Sequence, residues 1–508
     1  MRRIVLAACI ILAATAVNSQ TLTDIGKVFP ATQDLTGLST PLNRFNSVLY
    51  YYANPNREIG KKNKKGTNDQ VILINPKSRE ITTSDILVPE GFFYIGSTEL
   101  EKDFLALYSN QSEIVLNRSR KDDIHWNPKP LVTYPITPSD AVTCLTSPDG
   151  TMMGLLIDKK NNEGNYAGVQ VFVFDMSGKA LWNGIIPMTD ADRRFDKLDY
   201  IIDNLGHVHA GVYSYLQKAK AKSDHQLRIY SLCPDSVAVA TEPLAFGYLA
   251  DSRMKFTSDG HLFMAGYYAT KPNEKPTAFY GMTYNTKYTR IMFVGNQKLT
   301  GYYKSRRKTT PDDEIMNQEY DIRICNMHEM PNGTIVMLGN QELTKDGKNY
   351  SGNVVYTVYS KDGEIYGQKL IKKSAMDKGD FGGNFALHGL GIGSFVVDNK
   401  VCLLFNDYLG NYINNPEKAP KDKKIKQAEY EMPKTRTTFK GNDLKTGCTV
   451  LTVIDNSFDS YPYTRQVVMK AAETKSLFNG MIHAAERYII IFTKSTKWIS
   501  AEKLSIRL

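Results

Sequence analysis

The sequence predicts an all-β chain: a single domain of eight, alternatively seven, four-stranded sheets repeated around one axis. Three observations carry this. A turn, a glycine and an apolar strand recur at intervals near ~50 residues, the apolar runs have strand length, and long helical periodicity is nearly absent. The 508 residues are 42% hydrophobic, 23% charged and 11% aromatic, which excludes wholesale disorder, collagen and coiled coil.

In chain order, the first segment reads as an export signal. Arg2 and Arg3 precede Ile4–Val17, a run of 14 apolar and small residues, and Ala14, Ala16, Val17 and Ser19 suit cleavage, so residues 1–19 are expected to be removed. As a helix such a run rises only about 21 Å, short of the roughly 30 Å that a membrane anchor must cross. Leu6-Ala7-Ala8-Cys9 resembles a bacterial lipobox; the early position of Cys9 and the apolar run continuing past it disfavour that reading. No later segment reaches the ~18 apolar residues of a spanning helix. Residues 20–508 are therefore expected to travel the general export pathway to the periplasm, the outer surface or the exterior of a bacterial cell. Beyond the signal stand Cys144, Cys233, Cys325, Cys402 and Cys448, with no CxxC pair. They are expected as small buried residues of strands, with at most one or two bridges.

The repeat is clearest in four segments. Ser147-Pro148-Asp149-Gly150 precedes Thr151–Asp158, and Asp203-Asn204-Leu205-Gly206 precedes His207–Tyr215. Thr257-Ser258-Asp259-Gly260 precedes His261–Tyr268, and Met330-Pro331-Asn332-Gly333 precedes Thr334–Gln341. Asp-Gly and Asn-Gly supply the positive-φ positions of tight turns. Weaker copies begin at Leu49, Asp103, Val401 and Tyr488, and each unit continues with a loop, a strand, a turn and a strand, as in Val169–Phe174 and Lys179–Ile185. The last unit has room for three strands, so an N-terminal strand near Val28–Leu38 is expected to complete it and close the ring.

This pattern resembles the β-propeller superfamily. The resemblance is architectural: there is no Trp-Asp dipeptide of the WD40 type, no kelch Gly-Gly pair in register, and only a fragment of a sialidase Asp-box at Ser147–Thr151. A pair of β-sandwiches is the competing architecture.

Strands of a sheet are lettered A to D from the axis outward. The glycine turn precedes strand B, so B–C and D–A loops share one end of each sheet. The net charge of +10 becomes +8 without Arg2 and Arg3, and the B–C loops together carry +10. Loop 57–66 holds Arg57, Lys61, Lys62, Lys64 and Lys65; loop 216–224 holds Lys218, Lys220 and Lys222; loop 407–447 holds Lys423, Lys424 and Lys426. The D–A loop 302–319 adds Lys304, Arg306, Arg307 and Lys308. Tyr166, Tyr213, Tyr215, Tyr302, Tyr303, Tyr350, Tyr408 and Tyr412 are interspersed. Long loops are lysine-rich for solubility alone; gathered on one face, these charges would attract an anionic glycan, lipopolysaccharide, a lipid surface or an acidic protein. No nucleic-acid motif is present, and nucleic acid is not an expected partner.

His207 and His209 alternate as strand metal ligands do, but His207 occupies the post-turn position of His261, Thr151 and Thr334, which argues for a structural role. His328, His388 and His483 stand near A strands of successive units. Asp190, Asp192, Asp199, Glu319 and Asp321 are available for paired-carboxylate chemistry, though no spacing selects a pair. Nucleophile and phosphate-loop motifs are missing, so no cofactor is expected. The sequence favours a binding or scaffold protein; a glycan hydrolase or lyase with acids near the axis is the alternative.

Overall fold

The computed structural model describes residues 21–505 apart from 31–48, 54–66, 100–102, 161–165, 217–224, 300–319, 379–389, 410–438, 455–462 and single residues or pairs elsewhere. Strand β1 (Thr21–Pro30) stands first, and β2 (Leu49–Ala53), β3 (Thr67–Asn75) and β4 (Glu80–Val88) form a three-stranded sheet. Four complete meanders follow. They are β5 (Phe93–Glu99), β6 (Asp103–Ser109), β7 (Glu113–Arg120) and β8 (Val132–Pro135); β9 (Ala141–Thr146), β10 (Met152–Lys160), β11 (Tyr166–Asp175) and β12 (Ala180–Pro187). Next come β13 (Arg193–Ile202), β14 (Val208–Leu216), β15 (Gln226–Cys233) and β16 (Ser236–Pro243); β17 (Tyr248–Phe256), β18 (Leu262–Ala269), β19 (Ala278–Asn285) and β20 (Arg290–Lys298). The sixth sheet is β21 (Asp321–Glu329), β22 (Ile335–Lys345), β23 (Lys348–Tyr359) and β24 (Ile365–Ile371). Short β25 (Ala375–Lys378) precedes the seventh sheet, which is β26 (Gly393–Val397), β27 (Lys400–Tyr408), β29 (Gly447–Ile454) and β30 (Tyr463–Lys470); β28 (Phe439–Lys440) pairs in parallel with β25. After the one-turn helix α1 (Ala471–Thr474) come β31 (Ser476–Ala485), β32 (Tyr488–Ser495) and β33 (Trp498–Ser505), and β1 adds antiparallel to β33.

Eight sheets are therefore present among the described residues, at the turn markers read from the sequence. These are propeller blades, and the chain is a β-propeller. The strand completing the eighth blade is Thr21–Pro30 rather than the stretch around Val28–Leu38, of which 31–38 lie outside the described residues. The chain divides into two compact units, one holding β5 to β24 and the other holding β1 and β25 to β33.

Burial explains the local sequence. Strand B is covered on both faces by neighbouring blades, so β18, Leu262–Ala269, is buried at all eight positions and reads as one apolar run. The outer β16 alternates between exposed and half-buried. Within a unit, neighbouring blades meet in cores of their own: Leu156, Val171 and Val173 of the third blade pack with Val208, Ala210 and Val212 of the fourth. Each leucine or valine among them contributes about 1.5–3 kcal/mol when fully buried. Close packing is visible at Gly281, where a Cβ would stand 2.6 Å from the Tyr359 ring of the next blade. The five cysteines form no disulfides; Cys402 and Cys448 are buried, but Cys325 is exposed because it is the bulged residue of β21 between Ile324 and Asn326. Among the described residues no helix is long and apolar enough to cross a membrane.

Candidate functional site

The loop ends of blades three and four bring together a dense polar cluster. On β10, Gly154, Leu156 and Asp158 share the face turned to blade four, and Leu156 belongs to the interface core. Two residues on, that apolar interface becomes polar. Asp158 is 1% exposed; its Oδ1 accepts from the Tyr200 hydroxyl at 2.7 Å and its Oδ2 from the Tyr166 hydroxyl at 2.9 Å. Lys197 of β13 stands 3.7 Å from Asp158 Oδ2, donates to Thr143 Oγ1 at 2.9 Å, and lies 4.1 Å over the Tyr200 ring. Lys159 alternates to the other face, where its Nζ meets Asp140 Oδ2 at 2.7 Å and covers the Tyr134 ring.

Beside this cluster, Tyr215 lies near Asp196 and Arg194, Tyr213 hydrogen-bonds His225 Nδ1, and the Tyr215 and His225 rings stack at 5.7 Å. Burial, then the Asp158 charge, pushes the Tyr166 and Tyr200 phenols far above their usual range. Burial also raises the Asp196 carboxyl, against Tyr215 and Arg194. The phenols are thus held protonated, as donors rather than bases, beside an exposed arginine and a partly exposed lysine.

A second buried centre lies at the loop end of blade six. Lys373 is fully buried; its Nζ donates to Ser351 Oγ at 2.5 Å, Ser351 donates to Asn340 Oδ1 at 3.0 Å, and Asn340 Nδ2 donates to Glu342 Oε1 at 3.0 Å. Burial raises the Glu342 carboxyl, opposed by Asn340, Lys373 and Arg323.

The sequence-derived basic set cannot be placed against these clusters. Arg57, Lys61, Lys62, Lys64, Lys65, Lys218, Lys220, Lys222, Lys304, Arg306, Arg307, Lys308, Lys423, Lys424 and Lys426 all lie outside the described residues, as do Tyr302, Tyr303, Tyr412, Asp192, Glu319 and His388. Tyr166 lies in the cluster and Tyr213 and Tyr215 stand beside it, whereas Tyr350 and Tyr408 stand on other blades. The remaining acids have structural partners. Asp190 pairs with Arg228 at 2.8 Å and Asp321 with Lys275 at 2.6 Å. Asp199 Oδ2 accepts the backbone N–H of Met254 on the next blade, and Asp251 repeats the device toward Ile324.

The histidines are similarly engaged. His207 Nδ1 meets Asp203 Oδ2 at 3.0 Å, while buried His209 bonds Ser231 Oγ through Nδ1 at 2.7 Å. Burial, then the Lys255 charge, lowers His328 to about 4. The side chain of His483 lies outside the described residues. Among the described residues no group of three or more His, Cys, Asp or Glu side chains is placed to hold a metal ion. Sequence reasoning missed Asp158, Lys197, Tyr200, Lys373 and Glu342. The available signal for Asp158 was a carboxylate in register with the core positions of an apolar strand.

No protein-family profile matches the chain, and no curated protein sequence does. Among solved structures it is similar to the Dos1 propeller (TM-score 0.46, 8% identity, 95% of each chain covered). It is also similar to the polysaccharide lyase Uly1 (TM-score 0.38, 7% identity, 96% of this chain and 99% of that one). A third likeness is to the WD40 domain of SCAP from fission yeast (TM-score 0.33, 8% identity, 95% and 98% covered). At these identities and scores the likenesses bear on neither activity nor ligand. The fold rests on this chain's own sheets.

Proposed function

We propose that this protein is an exported binding propeller that engages an anionic polymer, an acidic glycan or lipopolysaccharide, through the loop ends of its blades. The observation that carries the reading is the cluster on blades three and four. There protonated phenols, Lys197 and Arg194 stand together near Leu216, the last residue of β14, after which the chain continues into the lysine-bearing stretch 217–224. Aromatic faces and cations are groups that recognise sulfated or carboxylated sugars. The Tyr166 and Tyr200 hydroxyl protons are spent on Asp158, so exposed Arg194 and half-buried Lys197 are the groups that would meet the anion. Asp158 holds the phenols in place, and Asp199 and Asp251 serve the fold. The test is retention on heparin-type and lipopolysaccharide matrices. It is expected to weaken with salt, to fall when Lys61, Lys62, Lys64 and Lys65 are changed together to Glu, and to fall further with Arg194→Glu. Retention indifferent to salt and to all five changes would sink the proposal.

A further inference from the structure

The outer strands of the blades differ in one respect that bears on association. An edge strand offers unpaired N–H and C=O groups to any other chain, and proteins blunt such edges with bulges, charges, proline or short length. Seven outer strands are blunted. β4 carries Glu80 and Asp85, and β8 is only four residues long. β12 bulges at Leu181, β20 at Met292, β24 at Tyr366 and β30 at Val468, and β1 bulges twice. Leu181, Met292 and Tyr366 owe their exposure to those bulges.

β16 is the exception. It pairs with β15 without a bulge from Ser236 to Pro243, carries no charge before Glu242, and has no outer partner among the described residues. The two-residue turn makes Cys233 and Ser236 a hydrogen-bonded pair, and Leu244 N–H still bonds His225 at the far end. Ser236, Ala238, Ala240 and Glu242 therefore bond inward, while the backbones of Val237, Val239 and Thr241 project outward. Val237 and Val239 are 43% and 52% exposed in a regular strand.

We propose that β16 pairs antiparallel with β16 of a second copy, about a two-fold axis at Val239. The strand is complementary to itself in that register. Val239 faces Val239, Val237 faces Thr241, and Glu242 faces Ser236, so β-branched residues meet and no like charges oppose. The outcome is one continuous eight-stranded sheet across two chains. A contact one strand wide falls below the ~800 Å² per partner of a standard interface, so the dimer is concentration-dependent.

Sedimentation velocity over a wide concentration range tests this, with Val239→Lys and Val239→Thr compared. The native chain and Val239→Thr are expected to dimerise, and Val239→Lys to dissociate about tenfold more readily or worse. Because Val239 is exposed, unchanged circular dichroism checks that the lysine variant folds. Amide exchange gives an independent reading: Val237, Val239 and Thr241 should gain protection as concentration rises, while Ala238 and Ala240 are protected throughout. A chain that stays monomeric, a dimer indifferent to Val239→Lys, or outward amides protected in the monomer by another segment would each overturn the proposal.

Discussion

At the turn end of blade four, Asp203 serves its own neighbourhood: Oδ1 accepts the N–H groups of Leu205 and His207, and Oδ2 meets the His207 ring. At the loop end of blade three, Asp158 reaches Tyr166 eight residues away and Tyr200 forty-two residues away on another blade. The first aspartate organises a turn that four blades repeat. Asp149 holds Ser147 and Thr151, Asp259 holds Thr257, and Asn332 holds Thr334, each beside a glycine with φ of 75 to 83°. The second aspartate bonds between blades, as buried Asn406 of β27 does when its Nδ2 donates to Phe478 O. The turn ends are built mostly from local bonds, with Asn204 accepting the Asp149 N–H and Glu329 accepting from Ser258 between blades. Asp158 instead ties the loop end of blade three chiefly to another blade, and there recognition can diverge without disturbing the turns.

Substitutions at the two ends should separate these roles. Asp158→Ala strands two buried hydroxyls and Lys197, and is expected to cost about 3–5 kcal/mol by denaturant unfolding. Polyanion retention should also fall, because Tyr166 and Lys197 lose their anchor. Asp203→Ala removes the acceptor of three local bonds and should cost about 2–3 kcal/mol, with retention unchanged once folding is verified. If Asp203→Ala weakened retention more than Asp158→Ala, the contrast between the ends would be wrong.

Asp199 sharpens the comparison, being a contact between blades that is nonetheless structural. Burial raises its carboxyl, against the Met254 N–H, Arg253, the Tyr200 N–H and Lys197. A raised carboxyl favours the folded state at low pH and loses that contribution as pH climbs through its folded value. Asp199→Ala should cost about 2 kcal/mol at neutral pH, whereas Asp199→Asn keeps an acceptor for Met254 and should be near neutral. A calorimetric scan of both variants decides it.

The smallest effect concerns His328. Its folded value near 4 lies below the ordinary 6.5, so the neutral imidazole contributes stability above pH 6.5 that is lost as pH falls toward 4. Between pH 6.5 and 5 the loss should be about 1–2 kcal/mol, and His328→Gln should flatten that part of the profile. An unchanged slope would mean that the ring is not shielded in solution.

Much of the scaffold was legible in the chain because its signals are local. Asp-Gly and Asn-Gly turns need only adjacent residues, and the apolar runs of the B strands follow from burial on both faces. The N-terminal strand was foreseen in kind but shifted in position, since the run 21–30 with its two bulges lacks regular alternation. Asp190, Asp199 and Asp321 looked like free acids because their partners sit 38, 55 and 46 residues away.

By itself the sequence determined the all-β class, the recurring glycine turns and the apolar strands that follow them. Those features are set by φ preferences and two-residue alternation, which act within a few residues. Only the tertiary structure decided that Asp158 sits between two phenols, that Asp199 spends its carboxylate on the next blade, and that β16 keeps an unblunted edge. Each of these depends on how one sheet lies against or beside another, and no local propensity encodes the partner across that gap.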